Sequence, residues 1–185
     1  NVVFDNVAEG GGASNVYVSD LSYLVMTNEF TGSIGYSVTV GAGATVVIDK
    51  PMSVSNDFFL LSGGTLTHTA LPSTANEPKD ECNRLVLNVG GDMTIEEGAI
   101  VDANGKGYAT KKGPGYTALG TTSGLCNSAA HGGSSYSASW CYGSISCPTN
   151  CGSSGNWGGI GGGVAILHIA GNLTLDGSIL ANGGK

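Results

Sequence analysis

Three kinds of side chain in this sequence could do chemistry: paired carboxylates, histidines and clustered cysteines. Acid/base hydrolysis of a sugar needs two carboxyl groups held a few ångströms apart on a rigid face. Asp80-Glu81 lie in a Pro-bounded loop, and Glu96-Glu97 are neighbours that point to different sides of a turn. Glu96 and Asp176 occupy matching places in a repeat described below. As neighbours they would be solvated or share a cation rather than work as an acid and a base. The histidines are His68, His131 and His168. His68 in TLTHT and His168 in AILHIA alternate with apolar positions, which predicts outward-facing side chains without a nucleophile beside them. His131, in HGGSSY, is expected to make a structural hydrogen bond. No catalytic set emerges, and the chain is read as a non-enzyme without a cofactor.

The five cysteines are Cys82, Cys126, Cys141, Cys147 and Cys151. The last four crowd into one polar stretch. In an oxidising compartment such a cluster reads as disulfides pinning a loop, with three pairings open for Cys126, Cys141, Cys147 and Cys151. Cys82 is then the odd thiol, free or bonded outside the cluster. Zinc is the competing reading, but Cys147-x3-Cys151 is not the usual Cys-x2-Cys knuckle and no second tight pair exists. Asp102-x-Asn104-Gly105 resembles part of a calcium loop, with oxygen ligands at alternate positions, and makes Asp102 and Asn104 weak candidates for a structural Ca²⁺. Tyr108, Tyr116, Tyr136, Trp140, Tyr142 and Trp157 could form a sugar-binding platform. The alternative is that they give the same stretch a small core. Asn172-Leu173-Thr174 is an Asn-x-Ser/Thr sequon, so Asn172 is a glycosylation candidate.

These residues must be held by strands. Helical periodicity is absent, and Gly or Pro interrupts almost every window that could sustain it. Short β-branched runs are frequent: Ser33–Val40, Ala44–Ile48, Phe58–Leu61, Thr65–Thr69, Arg84–Val89, Met93–Ile95 and Val164–Ala170. Two stretches nearly repeat each other, GDMTIEEGAIVDANG from Gly91 and GNLTLDGSILANGG from Gly171. Leu87 and Val89 upstream match Leu167 and Ile169. A looser third copy, VTVGAGATVVIDKPMSV, starts at Val38. Three short strands and three turns in about 20 residues is the sequence form of one coil of a parallel β-helix. Asn at equivalent corners could stack into a ladder of amides. The reading is therefore an all-β, single-domain solenoid over residues 1–185. Residues 106–163 are a long Gly- and Cys-rich insertion between coils. A β-sandwich is the alternative.

Bulk composition narrows the partners. The 185 residues hold 7 basic and 14 acidic side chains, a net charge of −7. That balance disfavours nucleic acid and anionic membrane surfaces. Charged residues are 11% of the chain, well under the roughly 25% of ordinary domains. Gly supplies 32 residues, yet 41% are hydrophobic, so the chain can build a core. No apolar run approaches the roughly 18–20 residues that span a bilayer. A Ser/Thr/Asn/Gly surface around a Val/Ile/Leu interior suggests an extracellular β-protein. The chain begins at Asn1 without an initiator Met or signal peptide, as a mature form or an excerpt would.

The motif order is distinctive in combination: ANGKGY (Ala103–Tyr108), GPG (Gly113–Gly115), HGG (His131–Gly133), YGS (Tyr142–Ser144) with Pro148, then Gly152–Gly155, Gly158–Gly163 and the closing GNLTLDGSILANGG. Over about Leu85 to Lys185 it resembles glycine-rich segments of large secreted or cell-surface proteins of bacteria, algae and plants. In those the same order recurs around β-helix-like coils. The resemblance implies a right-handed β-helix in an extracellular setting and transfers no catalytic residue. The high cysteine content of the insertion departs from it.

The functional expectation is an extracellular structural or adhesive module of a filament, appendage or surface protein. Its last coil, ending at Ala181-Asn182-Gly183 without a capping helix, implies either end-to-end association with another copy or another extracellular structural protein, or a longer parent protein. The alternative is a carbohydrate-binding or carbohydrate-active β-helix, lyase- or hydrolase-like, with polysaccharide as partner.

Overall fold

A computed structural model describes residues 37–116, 131, 141–155 and 158–185, together with the backbone of three earlier strands. Strands form where β-branched and aromatic residues alternate, and they are short because a glycine or Asx corner follows within a few residues. In chain order they are β1 (Val16–Val18), β2 (Tyr23–Met26), β3 (Ser33–Ile34), β4 (Val38–Val40), β5 (Thr45–Ile48), β6 (Met52–Val54), β7 (Phe58–Leu60), β8 (Thr65–Thr67), β9 (Leu85–Val89), β10 (Met93–Ile95), β11 (Ile100–Asp102), β12 (Ala165–Ile169), β13 (Leu173–Leu175) and β14 (Ser178–Leu180). One 3₁₀ turn, Pro78–Asp80, is the only helical element among the described residues.

Every third strand pairs. The three sheets run β1-β4-β7-β10-β13, β2-β5-β8-β11-β14 and β3-β6-β9-β12. The strands pair in parallel, for example Met93 on Leu173 and Met93 on Phe58. A sandwich needs antiparallel neighbours, so that alternative is overturned. The fold is all-β, with parallel strands in stacked sheets and successive strands passing from one sheet to the next. We call three consecutive strands a rung. The looser third copy in the sequence is the rung β4-β5-β6.

The chain divides into two compact units. The first comprises Asn1–His68, Leu85–Asp102 and Ile166–Leu180; the second comprises Thr69–Arg84, Ala103–Ala165 and Ala181–Lys185.

The first unit is the strand stack. Alternate residues point inward, so β4, β6, β7 and β10 each bury their first and third residues. The inward side chains stack in columns, Val40-Leu60-Ile95 along one sheet and Val46-Leu66-Val101 along the next, all at most 1% exposed. Each fully buried side chain of this size contributes roughly 1.5–3 kcal/mol. The corner from the first sheet to the second repeats one backbone shape. Gly43, Gly63 and Gly98 have φ of 70°, 78° and 81°, a region glycine enters without steric cost. They are linked to one another, Gly43 N–H to Gly63 C=O at 3.1 Å and Gly63 N–H to Gly98 C=O at 3.2 Å.

His68 corrects an expectation. It is fully buried, and Thr67 before it is only 7% exposed. Strand β8 stops at Thr67, so the outward alternation assumed through His68 does not extend that far. His168, in the middle of β12, is exposed as expected.

Candidate functional site

The second unit is assembled from excursions that leave the chain at one recurrent place, after a strand of the second sheet. Thr69–Arg84 follows β8, Ala103–Ala165 falls between β11 and β12, and Ala181–Lys185 follows β14. Residues 106–163 fall within the middle one. The excursion after β8 was legible only as a Pro-bounded loop around Asp80-Glu81, and its sequence does not mark it as part of a second unit.

Glycine lets these segments interlock through their backbones. Gly107 N–H donates to Gly161 C=O at 2.8 Å, Tyr108 N–H to Gly152 C=O at 3.0 Å, Gly152 N–H to Gly162 C=O at 2.8 Å and Gly163 N–H to Ala103 C=O at 2.7 Å. A Cβ on Gly161 would collide with the carbonyl of Gly152. Side chains would force the segments apart, and the buried peptide groups would lose their partners.

At the centre lies a polar cluster. Glu81, 7% exposed, accepts a hydrogen bond from the Tyr108 hydroxyl at 2.9 Å and another from the Cys151 N–H at 3.2 Å, both on Oε1. Asn150 Nδ2 donates to its other oxygen at 3.4 Å. Arg84 Nη1 donates to the Thr149 carbonyl at 3.4 Å. The Tyr142 hydroxyl donates to the Cys151 carbonyl, and His131 packs edge-on against the Tyr142 ring, centroids 4.9 Å apart. His131 Nε2 is buried without a hydrogen-bond partner among the described residues. Burial, with the Glu81 carboxylate alongside, raises the Tyr108 phenol far above its usual range. Burial likewise pushes the Tyr142 phenol up to about 12, and the Cys151 thiol from 9.0 to about 12. All three groups hold their protons at neutral pH, so none of the three rests there as a phenolate or a thiolate.

The other candidate residues fall as follows. Tyr108 is fully buried, so it presents no ring face to a sugar and instead fills the interior of this unit. Tyr116 and Tyr142 are half-buried. Cys126, Tyr136, Trp140 and Trp157 lie outside the described residues. Cys82, Cys141, Cys147 and Cys151 are free thiols, the first three exposed and Cys151 buried, so the staple expected of Cys141, Cys147 and Cys151 is not formed among them. No group of three metal-ligating side chains gathers among the described residues. Asn104 Oδ1 already accepts from the Asn182 N–H at 2.7 Å and from Asn182 Nδ2 at 3.0 Å. The ladder foreseen for corner amides is therefore present there.

In the strand stack, Glu96, Glu97, Asp176 and Ser62 line an open cleft of about 640 Å³. Glu96 Oε2 is engaged by the Ser62 N–H at 2.9 Å. A second ladder runs through corners of this unit. Asp57 N–H donates to Ser37 Oγ at 3.3 Å, Asp92 N–H to Asp57 Oδ1 at 2.8 Å and Asn172 N–H to Asp92 Oδ1 at 2.7 Å. Asn172, the glycosylation candidate, is exposed, and its Nδ2 also donates to Asp92 Oδ1 at 3.2 Å.

Comparison with protein-family models, with curated proteins and with solved structures returned no match. The geometry alone carries the functional reading.

Proposed function

We propose that the chain is a segment of a right-handed parallel β-helix acting as an extracellular structural or adhesive module, and that it associates through its last rung. One observation supports this reading: within residues 1–185 the last rung has the side-chain pattern of a core, so it fits a following rung, whether of the same chain or of another copy. Leu173, Leu175 and Ile179 are 44%, 46% and 39% exposed, whereas Met93, Ile95 and Val101, one rung earlier in the same columns, are 0% exposed. Strands β12, β13 and β14 are also edge strands of their sheets, with backbone groups open to a further parallel strand. The low charge density fits a surface that meets other polypeptide rather than a polyelectrolyte. The end presents amide ladders, so the incoming partner is expected to carry a rung of the same kind.

Sedimentation and negative-stain electron microscopy of the whole chain over a range of concentrations test the proposal. Elongated assemblies that disappear in the double variant Leu173→Lys, Leu175→Lys are expected. A wild-type chain that stays monomeric at the highest concentration would overturn it. A second reading, a carbohydrate-binding or carbohydrate-active β-helix, draws on the acidic cleft of Glu96, Glu97 and Asp176. A polysaccharide array without a bound ligand removes that reading.

A further inference from the structure

The described segment around Cys82 and the one around Cys151 are fastened to each other from both sides. Glu81, the residue before Cys82, holds the backbone N–H of Cys151 and the side chain of Asn150. Arg84, two residues after Cys82, holds the carbonyl of Thr149. The bonded residues Glu81 and Cys151 are 70 apart in sequence, so this contact closes a long loop. The two thiols differ in access: Cys82 is exposed and Cys151 is fully buried.

We propose that Cys82 and Cys151 are a disulfide-forming pair that cross-links the excursion after β8 to the long insertion. The sequence grouped Cys151 with Cys126, Cys141 and Cys147; the hydrogen bonds group it with Cys82. A disulfide requires Cα atoms roughly 4.4–6.8 Å apart. Three hydrogen bonds, from residues on both sides of Cys82, tie the two segments together next to the thiols, and the pairing requires that they bring the two Cα atoms into that range. Cys82 also lies close enough for its charge to raise the Cys151 thiol, alongside the larger effects of burial and Glu81.

The chemistry is thiol–disulfide exchange with a small oxidised disulfide such as oxidised glutathione. The Cys82 thiolate attacks one glutathione sulfur, breaks the S–S bond and releases one glutathione thiolate. Cys151 then loses its proton to solvent or to the released thiolate. Its sulfur attacks Cys82 Sγ in the mixed disulfide and expels the second glutathione. Two protein thiols are oxidised and one glutathione disulfide is reduced to two thiols. The order within the pair is set by exposure, since Cys82 meets the oxidant directly and the buried Cys151 does not.

The test uses the whole chain, equilibrated under native conditions with oxidised glutathione, then alkylated and digested without reduction. Mass spectrometry should find a Cys82–Cys151 linked peptide, and thermal melts should show a higher Tm than for the reduced chain. In Cys82→Ser, a change at an exposed position, Cys151 should remain a thiol that alkylates only after unfolding, and the rise in Tm should vanish. Two results would overturn the proposal. One is Cys151 linked to Cys126, Cys141 or Cys147 with Cys82 alkylated; the other is Cys151 unlinked at equilibrium.

Discussion

Asn104 Oδ1 accepts two hydrogen bonds from Asn182, one from its backbone N–H at 2.7 Å and one from its side-chain amide at 3.0 Å. Asp92 Oδ1 does the same for Asn172, at 2.7 Å and 3.2 Å. One acceptor geometry thus serves an amide in one place and a carboxylate in the other. Asn104→Ala should cost about 1–3 kcal/mol, since it strands a backbone N–H as well as losing a bond. Asn104→Asp keeps the acceptor and should stay within roughly 0.5 kcal/mol of the parent. Urea denaturation of the two variants measures both. Equal losses would show that the oxygen is not what matters.

Gly161→Ala should be among the most disruptive single changes. Its Cβ would run into the Gly152 carbonyl, and backbone cannot give way as a flexible side chain can. A loss on the order of 3 kcal/mol or more is expected from forced separation of the segments. Amide exchange should report it locally, with protection lost at the N–H groups of Gly107, Tyr108 and Gly152. Gly158→Ala is the control for space, because a Cβ there meets nothing within 4 Å; its φ of 89° makes it strained all the same.

Tyr108→Phe removes one donor from the Glu81 carboxylate while keeping the ring in its place. The buried carboxylate keeps the Cys151 N–H and Asn150, so the fold should survive with a loss of about 1–3 kcal/mol. Glu81→Leu removes the acceptor for three donors at once and should cost more. Chemical denaturation that ranks the two the other way round would remove Glu81 as the hub of this unit.

Alkaline pH should weaken the second unit. Cys151 and Tyr142 have folded-state pKa values raised by burial, to about 12 in each case, above ordinary values of 9.0 and 10.0. The folded chain then holds protons that the unfolded chain has released, so stability falls as pH rises. The contribution is complete below about pH 9 and is lost as pH climbs toward 12. Thermal melts between pH 7 and 11 check this, and Cys151→Ala should flatten the part of the decline that begins near pH 9.

Much of the stack was legible because its physics is local and periodic. Met93, Thr94 and Ile95 pair in register with Leu173, Thr174 and Leu175, as the two matching stretches imply. The looser copy at Val38 also carries a rung. The rung β7-β8-β9 was harder to see, since residues 68–84 interrupt it between β8 and β9. His68 was misplaced for the same reason: a strand's alternation ends where the chain turns, and its sequence does not mark that point. The Glu81 cluster was invisible. Its members come from residues 81, 108, 131, 142 and 150–151, and no spacing rule links them. A hint was present in a Glu beside Pro-bounded polar residues with Tyr and Cys far downstream, but many arrangements would satisfy it.

The recurrent exit after the second sheet has a consequence for how the chain folds. Neighbouring rungs meet across growing sequence distances: the Asp57 N–H reaches Ser37 across 20 residues, Asp92 reaches Asp57 across 35, and Asn172 reaches Asp92 across 80. Each doubling adds only about 0.6 kcal/mol of closure entropy, so the longest step costs on the order of 1 kcal/mol more than the shortest. The kinetic effect is directional. Early rungs can form from near neighbours and offer a finished edge, and β13 must wait for a long stretch of chain to return to it. Pulse-labelled hydrogen exchange should show protection spreading from β4 and β7 toward β13. The stack then grows by templating, and its last rung docks last and leaves first.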